Sequence, residues 1–261
     1  MMSLINNRNS QQLAVYSFGD ITQPAIIFSN SLGTDHGMWQ TQVATFAQDY
    51  FVICYDTRGH GKSKVIENST LNDLATDVID ILDHFKVEKA HFCGISMGGI
   101  TGLQLGINAP HRLLSITIAN SAAKIGQDTA WLARADVVEA QGLAEIVSTT
   151  HTRWFSNEFG YIHDSVAQQA IQSLSVTSPK GYAASCRALA HADLREQIST
   201  IQVPCLALCG RFDPVTTVAD GEFMHVNMPN CEIAVIDASH LSNIEAPQQF
   251  NKAFKEFISK H

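Results

Sequence analysis

A serine between two glycines, in the segment Gly-Ile-Ser-Met-Gly at residues 94–98, constrains the fold of this chain more than any other feature. The apolar run at 90–93 predicts a strand before it, and residues 100–107 predict a helix after it. A tight turn from strand to helix strains the backbone at its tip, and small residues let the two elements approach each other. We therefore expect Ser96 to project from the end of a sheet above a helix N-terminus. There it is either a nucleophile or only a helix cap.

Strands and helices alternate on both sides of this turn, which is typical of an α/β fold. Short apolar runs predict strands, and amphipathic patterns predict helices. The predicted strands lie at 13–18, 25–28, 51–55, 113–119, 203–209 and 231–236, and further helices lie at 38–47, at 71–85 and from residue 247. The alternation predicts a mostly parallel twisted sheet with helices on both faces.

One segment interrupts the alternation. Residues 122–190 contain no strong strand pattern, are rather polar, and predict a series of helices. We therefore expect an α/β core formed by residues 1–121 and 191–261, with residues 122–190 inserted as a helical cap.

Composition limits the classes of partner. Hydrophobic residues make up 45% of the chain and charged residues 16%, which is enough apolar material for a packed core. The formal net charge of -8 argues against nucleic acid or an anionic membrane as a partner. Most of the six cysteines lie in strand-like runs without metal-ligand spacing. With no apolar run of membrane-spanning or signal-peptide length, these features predict a cytoplasmic protein.

A nucleophilic serine needs a base, and the base needs an acid to orient it. In a parallel sheet, such groups lie on loops after the carboxyl ends of strands. Asp213 follows the strand at 203–209 and His240 follows the strand at 231–236, so we expect them to be the acid and the base. Asp237 is a rival acid, and His60, which also follows a strand, is the closest rival base.

The oxyanion formed when a serine attacks a carbonyl needs two backbone amides. Met97, directly after the serine, supplies one of them. The other is expected from the loop after the strand at 25–28, where Leu32 is our choice and Ser31 is its neighbouring alternative.

Several motifs together resemble the α/β-hydrolase superfamily over nearly the whole chain. They are Gly-Ile-Ser-Met-Gly-Gly at 94–99, Arg-Gly-His-Gly-Lys-Ser at 58–63 and Gly-Arg-Phe-Asp at 210–213. The order serine, aspartate, histidine along the chain is also that of the superfamily. A narrower resemblance is to the 3-oxoadipate enol-lactonases, and it rests on segments 30–35, 38–39, 119–126, 153–155 and 181–189.

The resemblance implies hydrolysis of 3-oxoadipate enol-lactone in the β-ketoadipate route of aromatic breakdown, without a metal or an organic cofactor. Such a small anionic lactone requires a local cation in a chain of net charge -8. The cap offers Arg134 beside Trp131 at helical spacing, and Arg153 next to Trp154. We favour Arg134, because its spacing puts it on the same helical face as Trp131. The alternative is that both arginines are solvated and both tryptophans belong to the cap core.

Three other functions stay open at this point. A general carboxylesterase or a cofactor-free perhydrolase has a similar nucleophile turn. A non-catalytic ligand-binding relative has the same fold, although such proteins can lose a member of the triad, and all three candidates are present here.

Overall fold

Eight strands form the central sheet of the computed structural model, which describes residues 1–261. The strands are β1 (Met2–Asn6), β2 (Gln12–Phe18), β3 (Ala25–Ser29), β4 (Phe51–Tyr55), β5 (Ala90–Ile95), β6 (Leu113–Ala119), β7 (Cys205–Gly210) and β8 (Cys231–Ile236). Their spatial order is β1-β2-β4-β3-β5-β6-β7-β8. The β1–β2 and β2–β4 pairs are antiparallel and all the others are parallel, which confirms the predicted mostly parallel sheet.

The central strands are buried on both faces because helices cover the sheet from both sides. Every residue of β3, β4 and β5 is buried, as continuous apolar runs predict for such strands. The helices are α1 (Gln40–Phe46), α2 (Leu71–His84), α3 (Met97–Asn108), α4 (Asp128–Gln141), α5 (Ala144–Trp154), α6 (Ser165–Val176), α7 (Pro179–Ala190), α8 (Val218–Asn227), α9 (Ser242–Glu245) and α10 (Pro247–Ile258). None of them is both long enough and apolar enough to span a membrane.

Local sequence signals explain where individual helices begin. Thr70 caps α2 by accepting a hydrogen bond from the Asp73 amide, and Asp73 in turn accepts one from the Thr70 amide. Pro247 occupies the first turn of α10, where its missing N–H has no partner to lose. Phe250 and Phe254 on α10 are fully buried against the core. The apolar face of α10 that the periodicity predicts is thus the face that packs against the core.

Four helices, α4 to α7, lie between β6 and β7, and we call residues 122–190 the cap. Within the cap, α4 packs against α7. Arg187 on α7 pairs with Glu139 on α4 at 2.7 Å.

The carboxyl ends of the parallel strands meet at one edge of the sheet. The loops after β3, β5, β6, β7 and β8 carry Leu32, Ser96, Asn120, Asp213 and His240 respectively. Residues distant in sequence are therefore brought together there.

Candidate active site

Ser96 occupies a strained turn between β5 and α3. Its backbone angles are φ 56° and ψ -115°, a conformation that non-glycine residues rarely adopt. A Cβ at Gly94 would overlap the carbonyl of Gly98, and a Cβ at Gly98 would overlap the backbone of Ser29. Only glycine fits at these two positions, so the strand and the helix can approach closely enough to present Ser96 at the tip.

Hydrogen bonds from the neighbouring strand end hold the turn in this conformation. The Ser96 amide donates to the carbonyl of Asn120 at 3.1 Å, and the Ser121 hydroxyl donates to the carbonyl of Ser96 at 2.7 Å. The Ser96 hydroxyl itself makes no hydrogen bond to a protein group and faces a cavity. A strained residue with an unpaired hydroxyl is typical of a functional position.

Asp213 and His240 form a buried pair. His240 Nδ1 lies 2.8 Å from Asp213 Oδ2, so the protonated Nδ1 donates to the carboxylate and leaves Nε2 for proton transfer. The Asp213 carboxylate also accepts from the amides of Val215 and Thr216 at 2.8 and 3.1 Å. Burial alone would raise the pKa of Asp213, but His240 and the Asn120 amide hold it below its ordinary value. The acid therefore stays ionised beside the imidazole.

One cavity of about 260 Å³ contains both Ser96 and His240 on its wall. Its lining residues are Ser31, Leu32, Ser96, Ile125, Gly126, Gln127, Ala130, Trp131, Arg134, Thr150, Arg153, Trp154, Leu174, Tyr182, Pro214, Val215 and His240. The loops at the sheet edge supply the residues around Ser96, and the cap supplies the rest. The cavity thus lies between cap and core, with the serine and the histidine at the core side.

The two backbone amides predicted to form the oxyanion hole, those of Leu32 and Met97, have no backbone hydrogen-bond partner. Met97 is the first residue of α3, so its N–H has no carbonyl partner in the helix. The Leu32 amide makes no backbone hydrogen bond, and Leu32 lines the cavity together with its neighbour Ser31. Met97 is buried and does not itself line the cavity. Leu32 and Met97 stay our candidates for the oxyanion hole.

All four of the cap residues predicted to bind substrate line this cavity. The Arg134 guanidinium lies over the Trp131 ring, 4.8 Å from its centroid. Neither Arg134 nor Arg153 forms a salt bridge with a carboxylate of the protein. Burial, followed by the charge of Arg134, lowers the pKa of Arg153. Two neighbouring cations without acidic partners make the cap side of the cavity suitable for an anion.

The rival acid and the rival base lie elsewhere. Asp237 is exposed and pairs with Arg211 at 2.7 Å. His60 is buried, where its Nε2 accepts from the Gly33 amide at 3.1 Å and its Nδ1 lies 3.2 Å from the Arg58 carbonyl. His60 therefore fixes the loop that carries Leu32, and burial lowers its pKa.

Asn120 is a site residue that the sequence reasoning missed. Its Nδ2 donates to Asp213 Oδ2 at 3.0 Å and to the Ser239 carbonyl at 3.1 Å, and its Oδ1 accepts from the Ser242 hydroxyl. Its φ of 42° is left-handed, which asparagine tolerates better than most residues. The available signal was its position immediately after a strand, the same rule that selected Asp213 and His240.

A cluster of possible metal ligands lies outside the cavity. It consists of Asp35, His36 and Asp56. The Asp56 carboxylate already accepts hydrogen bonds from the ring and backbone of His36, from the Lys62 amide and from the Tyr16 hydroxyl. The cluster is therefore a saturated hydrogen-bond network beside the active-site loops.

The fold and the grouping of Ser96, His240 and Asp213 define a class of protein, the α/β hydrolases. Residues 24–247 match the model of the α/β hydrolase fold family. The chain is 57% identical to 3-oxoadipate enol-lactonase 1 of Acinetobacter baylyi, over 98% of this chain and 96% of that protein. It is 48% identical to 3-oxoadipate enol-lactonase 2 of the same organism, over 94% and 92% of the two chains.

A solved structure gives the same result. The enol-lactonase from Burkholderia xenovorans LB400 superimposes with a TM-score of 0.95 at 33% identity, covering 98% of this chain and 100% of that one. The chain therefore belongs to the α/β hydrolase fold family and, within it, to the 3-oxoadipate enol-lactonases. Both levels of the resemblance inferred from the sequence are confirmed.

Proposed function

We propose that this enzyme hydrolyses 3-oxoadipate enol-lactone to 3-oxoadipate, with Ser96 as nucleophile, His240 as general base and Asp213 as the acid that orients it. One structural observation supports this most strongly. A single cavity has Ser96 and His240 at its core side and, at its cap side, two arginines that form no salt bridge with a carboxylate of the protein. A small ester that carries a carboxylate fits such a cavity, because its ester group can face Ser96 while its carboxylate faces the arginines.

The first half of the reaction acylates the serine. His240 Nε2 accepts the hydroxyl proton as Ser96 Oγ attacks the lactone carbonyl, and the amides of Leu32 and Met97 hold the resulting oxyanion. When the intermediate collapses, the carbonyl carbon–ring oxygen bond breaks and His240 returns the proton to the departing oxygen. The opened chain is then an acyl ester of Ser96 that carries an enol, and the enol converts to the ketone.

The second half frees the acid. His240 takes a proton from a water molecule, and the hydroxide attacks the acyl carbonyl at the same oxyanion hole. Collapse of this second intermediate releases the new carboxylic acid and returns the proton from His240 to Ser96 Oγ. One lactone and one water are consumed for each 3-oxoadipate, so the chemistry is complete without a cofactor.

The arginines bind the carboxylate that the lactone carries before the reaction begins. Arg134, held over the Trp131 ring, can donate two parallel hydrogen bonds to it, with Arg153 as the neighbouring cation. The Trp154 side chain is buried on the same wall and excludes water from the contact. We propose Trp131, Arg134, Arg153 and Trp154 as the substrate-binding set.

The product places the enzyme in the β-ketoadipate pathway of aromatic catabolism. We also propose that it acts in the cytoplasm, which the six cysteines, all buried as free thiols, support.

A substrate panel tests the proposal. The enzyme is assayed on the enol-lactone, on neutral nitrophenyl esters and for peracid formation from acetate and peroxide. We expect kcat/KM for the lactone to exceed that for the esters, because only the lactone uses the arginines. Comparable ester hydrolysis with little lactone turnover would instead identify a general carboxylesterase, and dominant peracid formation a perhydrolase.

The nucleophile is tested with Ser96→Ala. We expect kcat to fall on the order of 10⁴–10⁶-fold while the fold is retained, which circular dichroism and thermal melting can check. Ser259→Ala, at an exposed serine of the last turn, is the matched control. A Ser96→Ala protein that keeps a tenth of the activity would show that another residue is the nucleophile.

A further inference from the structure

Glu245, at the end of the short helix α9, connects the cap to the histidine loop. Its Oε2 accepts from the Ser239 amide at 2.9 Å and from the Ser156 amide at 3.2 Å, and its Oε1 accepts from the Ser156 hydroxyl. One carboxylate thus receives three hydrogen bonds from two segments that are distant in sequence. Both of its oxygens are used, so the relative position of these segments is fixed at this point.

Each of the two segments carries active-site residues. Ser239 immediately precedes His240, so the amide that donates to Glu245 belongs to the backbone that positions the imidazole. Ser156 follows Arg153 and Trp154 at the end of α5, and both of these residues line the cavity. Glu245 therefore connects the segment that carries His240 to the segment that carries Arg153 and Trp154.

A direct backbone hydrogen bond also joins the same two segments beside Glu245. The Leu241 amide donates to the Trp154 carbonyl at 3.0 Å. Leu241 follows His240, so the histidine is held to the end of α5 on both of its sides along the chain. Glu245 forms no salt bridge with a basic residue, and its partners are all neutral donors at this junction.

We propose that Glu245 is a positioning residue that couples the cap residues Arg153 and Trp154 to His240. Binding of the substrate carboxylate in the cap then helps to set the imidazole for transfer of the serine proton. The substrate part of this inference rests on the proposed function, whereas the connection to His240 is independent of the substrate.

The experiment measures kcat and KM on two substrates, the enol-lactone and the neutral ester 4-nitrophenyl acetate. The variants are Glu245→Ala, Glu245→Gln and Ser156→Ala, with Glu256→Ala as the control. Glu256 is an exposed glutamate of α10 that lies 3.9 Å from Lys252 and far in sequence from the cap. Ser156→Ala removes one hydrogen bond on the cap side and leaves the bond from Ser239 in place.

We expect Glu245→Ala to lower kcat on both substrates by about tenfold or more, because the His240 loop loses its support. In addition, we expect KM for the lactone to rise, while KM for the neutral ester changes little. Glu245→Gln keeps an amide oxygen that can accept from Ser239, so it should recover most of kcat. Ser156→Ala should raise KM for the lactone about threefold or more, with a smaller effect on kcat.

Coupling is measured directly by a double-mutant cycle on the lactone with Ser156→Ala and Arg153→Ala. If Ser156 and Glu245 act through Arg153, the double variant should lose little more than Arg153→Ala alone. Additive losses would overturn the coupling. A Glu245→Ala protein that melts at a lower temperature but keeps kcat and KM on both substrates would also overturn it, since its role would then be structural only.

The two proposals fail in different ways. An enzyme with no lactone activity but good ester hydrolysis would refute the proposed function. The loss of kcat on the ester in Glu245→Ala, and its recovery in Glu245→Gln, would still decide whether Glu245 positions His240.

Discussion

Replacing either of the two cap arginines that line the cavity, Arg134 or Arg153, with alanine should reduce activity on the anionic lactone far more than on a neutral ester. Arg134 and Arg153 line the cavity without acidic partners, so their charges are available to a substrate carboxylate. We expect Arg134→Ala to have the larger effect, because its guanidinium is already held over Trp131 before substrate binds. Arg153 has a competing partner on its own helix, the Thr149 hydroxyl at 3.3 Å.

The size of the effect follows from the partial burial of both side chains. A charge-assisted hydrogen bond contributes about 1.5–3 kcal/mol, and exposure to solvent keeps a single arginine within that range. At about 1.4 kcal/mol for each factor of ten, Arg134→Ala should reduce kcat/KM for the lactone roughly 10- to 150-fold. The loss for a neutral ester of similar size should stay below about twofold, since no charge is lost from that complex.

The assay compares the two losses within each variant. Arg187→Ala is the matched control, because Arg187 is a cap arginine that pairs with Glu139 and does not line the cavity. Raised salt should reduce the ratio of kcat/KM for the lactone to kcat/KM for the neutral ester in the wild-type enzyme. In Arg134→Ala this ratio should stay almost unchanged. Equal losses on charged and neutral substrates in both Arg134→Ala and Arg153→Ala would show that neither residue binds the carboxylate.

Three further predictions concern groups that support the site. Asn120→Ala removes a donor from the Asp213 carboxylate, so kcat should fall about tenfold or more and the pH profile of kcat should shift, whereas a change in stability alone would contradict this role. His60→Gln should lower the melting temperature and keep most of kcat/KM in the folded enzyme; a well-folded variant without activity would transfer the role of base to His60. Burial lowers the pKa of His91 from its ordinary value to about 4, so between these two values the unfolded chain binds a proton that the folded chain does not. The free energy of unfolding should therefore decrease by about 2 kcal/mol between pH 7 and pH 5 because of this residue. In urea titrations, the free energy of unfolding of His91→Gln should depend correspondingly less on pH.

The elements that the sequence predicted are those whose apolar residues are buried in a regular pattern. β1 and α8 were missed because their burial is weak. Met2 and Leu4 of β1 are exposed, and the strand exists because its backbone pairs with β2. In α8, only Gly221 and Met224 are buried, so no apolar stripe indicates a helix. The one local signal for α8 was the capping box formed by Thr217 and Asp220 at its start.

The residues of the candidate site also include some that could be predicted from the sequence and some that could not. Ser96, Asp213 and His240 could be chosen because each follows a strand and belongs to a residue type that the chemistry requires. Asn120 also follows a strand, but an amide has no necessary role in the triad, so nothing in the sequence selected it.

Glu245 could not be predicted from the sequence, for a different reason. Its partners, Ser156 and Ser239, are 89 and 6 residues away, and their donors include two backbone amides, which have no side-chain signature. Sequence patterns indicate which groups can do chemistry, whereas the groups that hold them in place are defined by the path of the backbone. In this fold the cap is inserted between β6 and β7, and the histidine follows β8, so only the folded chain brings the end of α5 to the histidine loop. The residue that joins them is consequently the one whose substitution should affect both substrate recognition in the cap and the chemistry at Ser96.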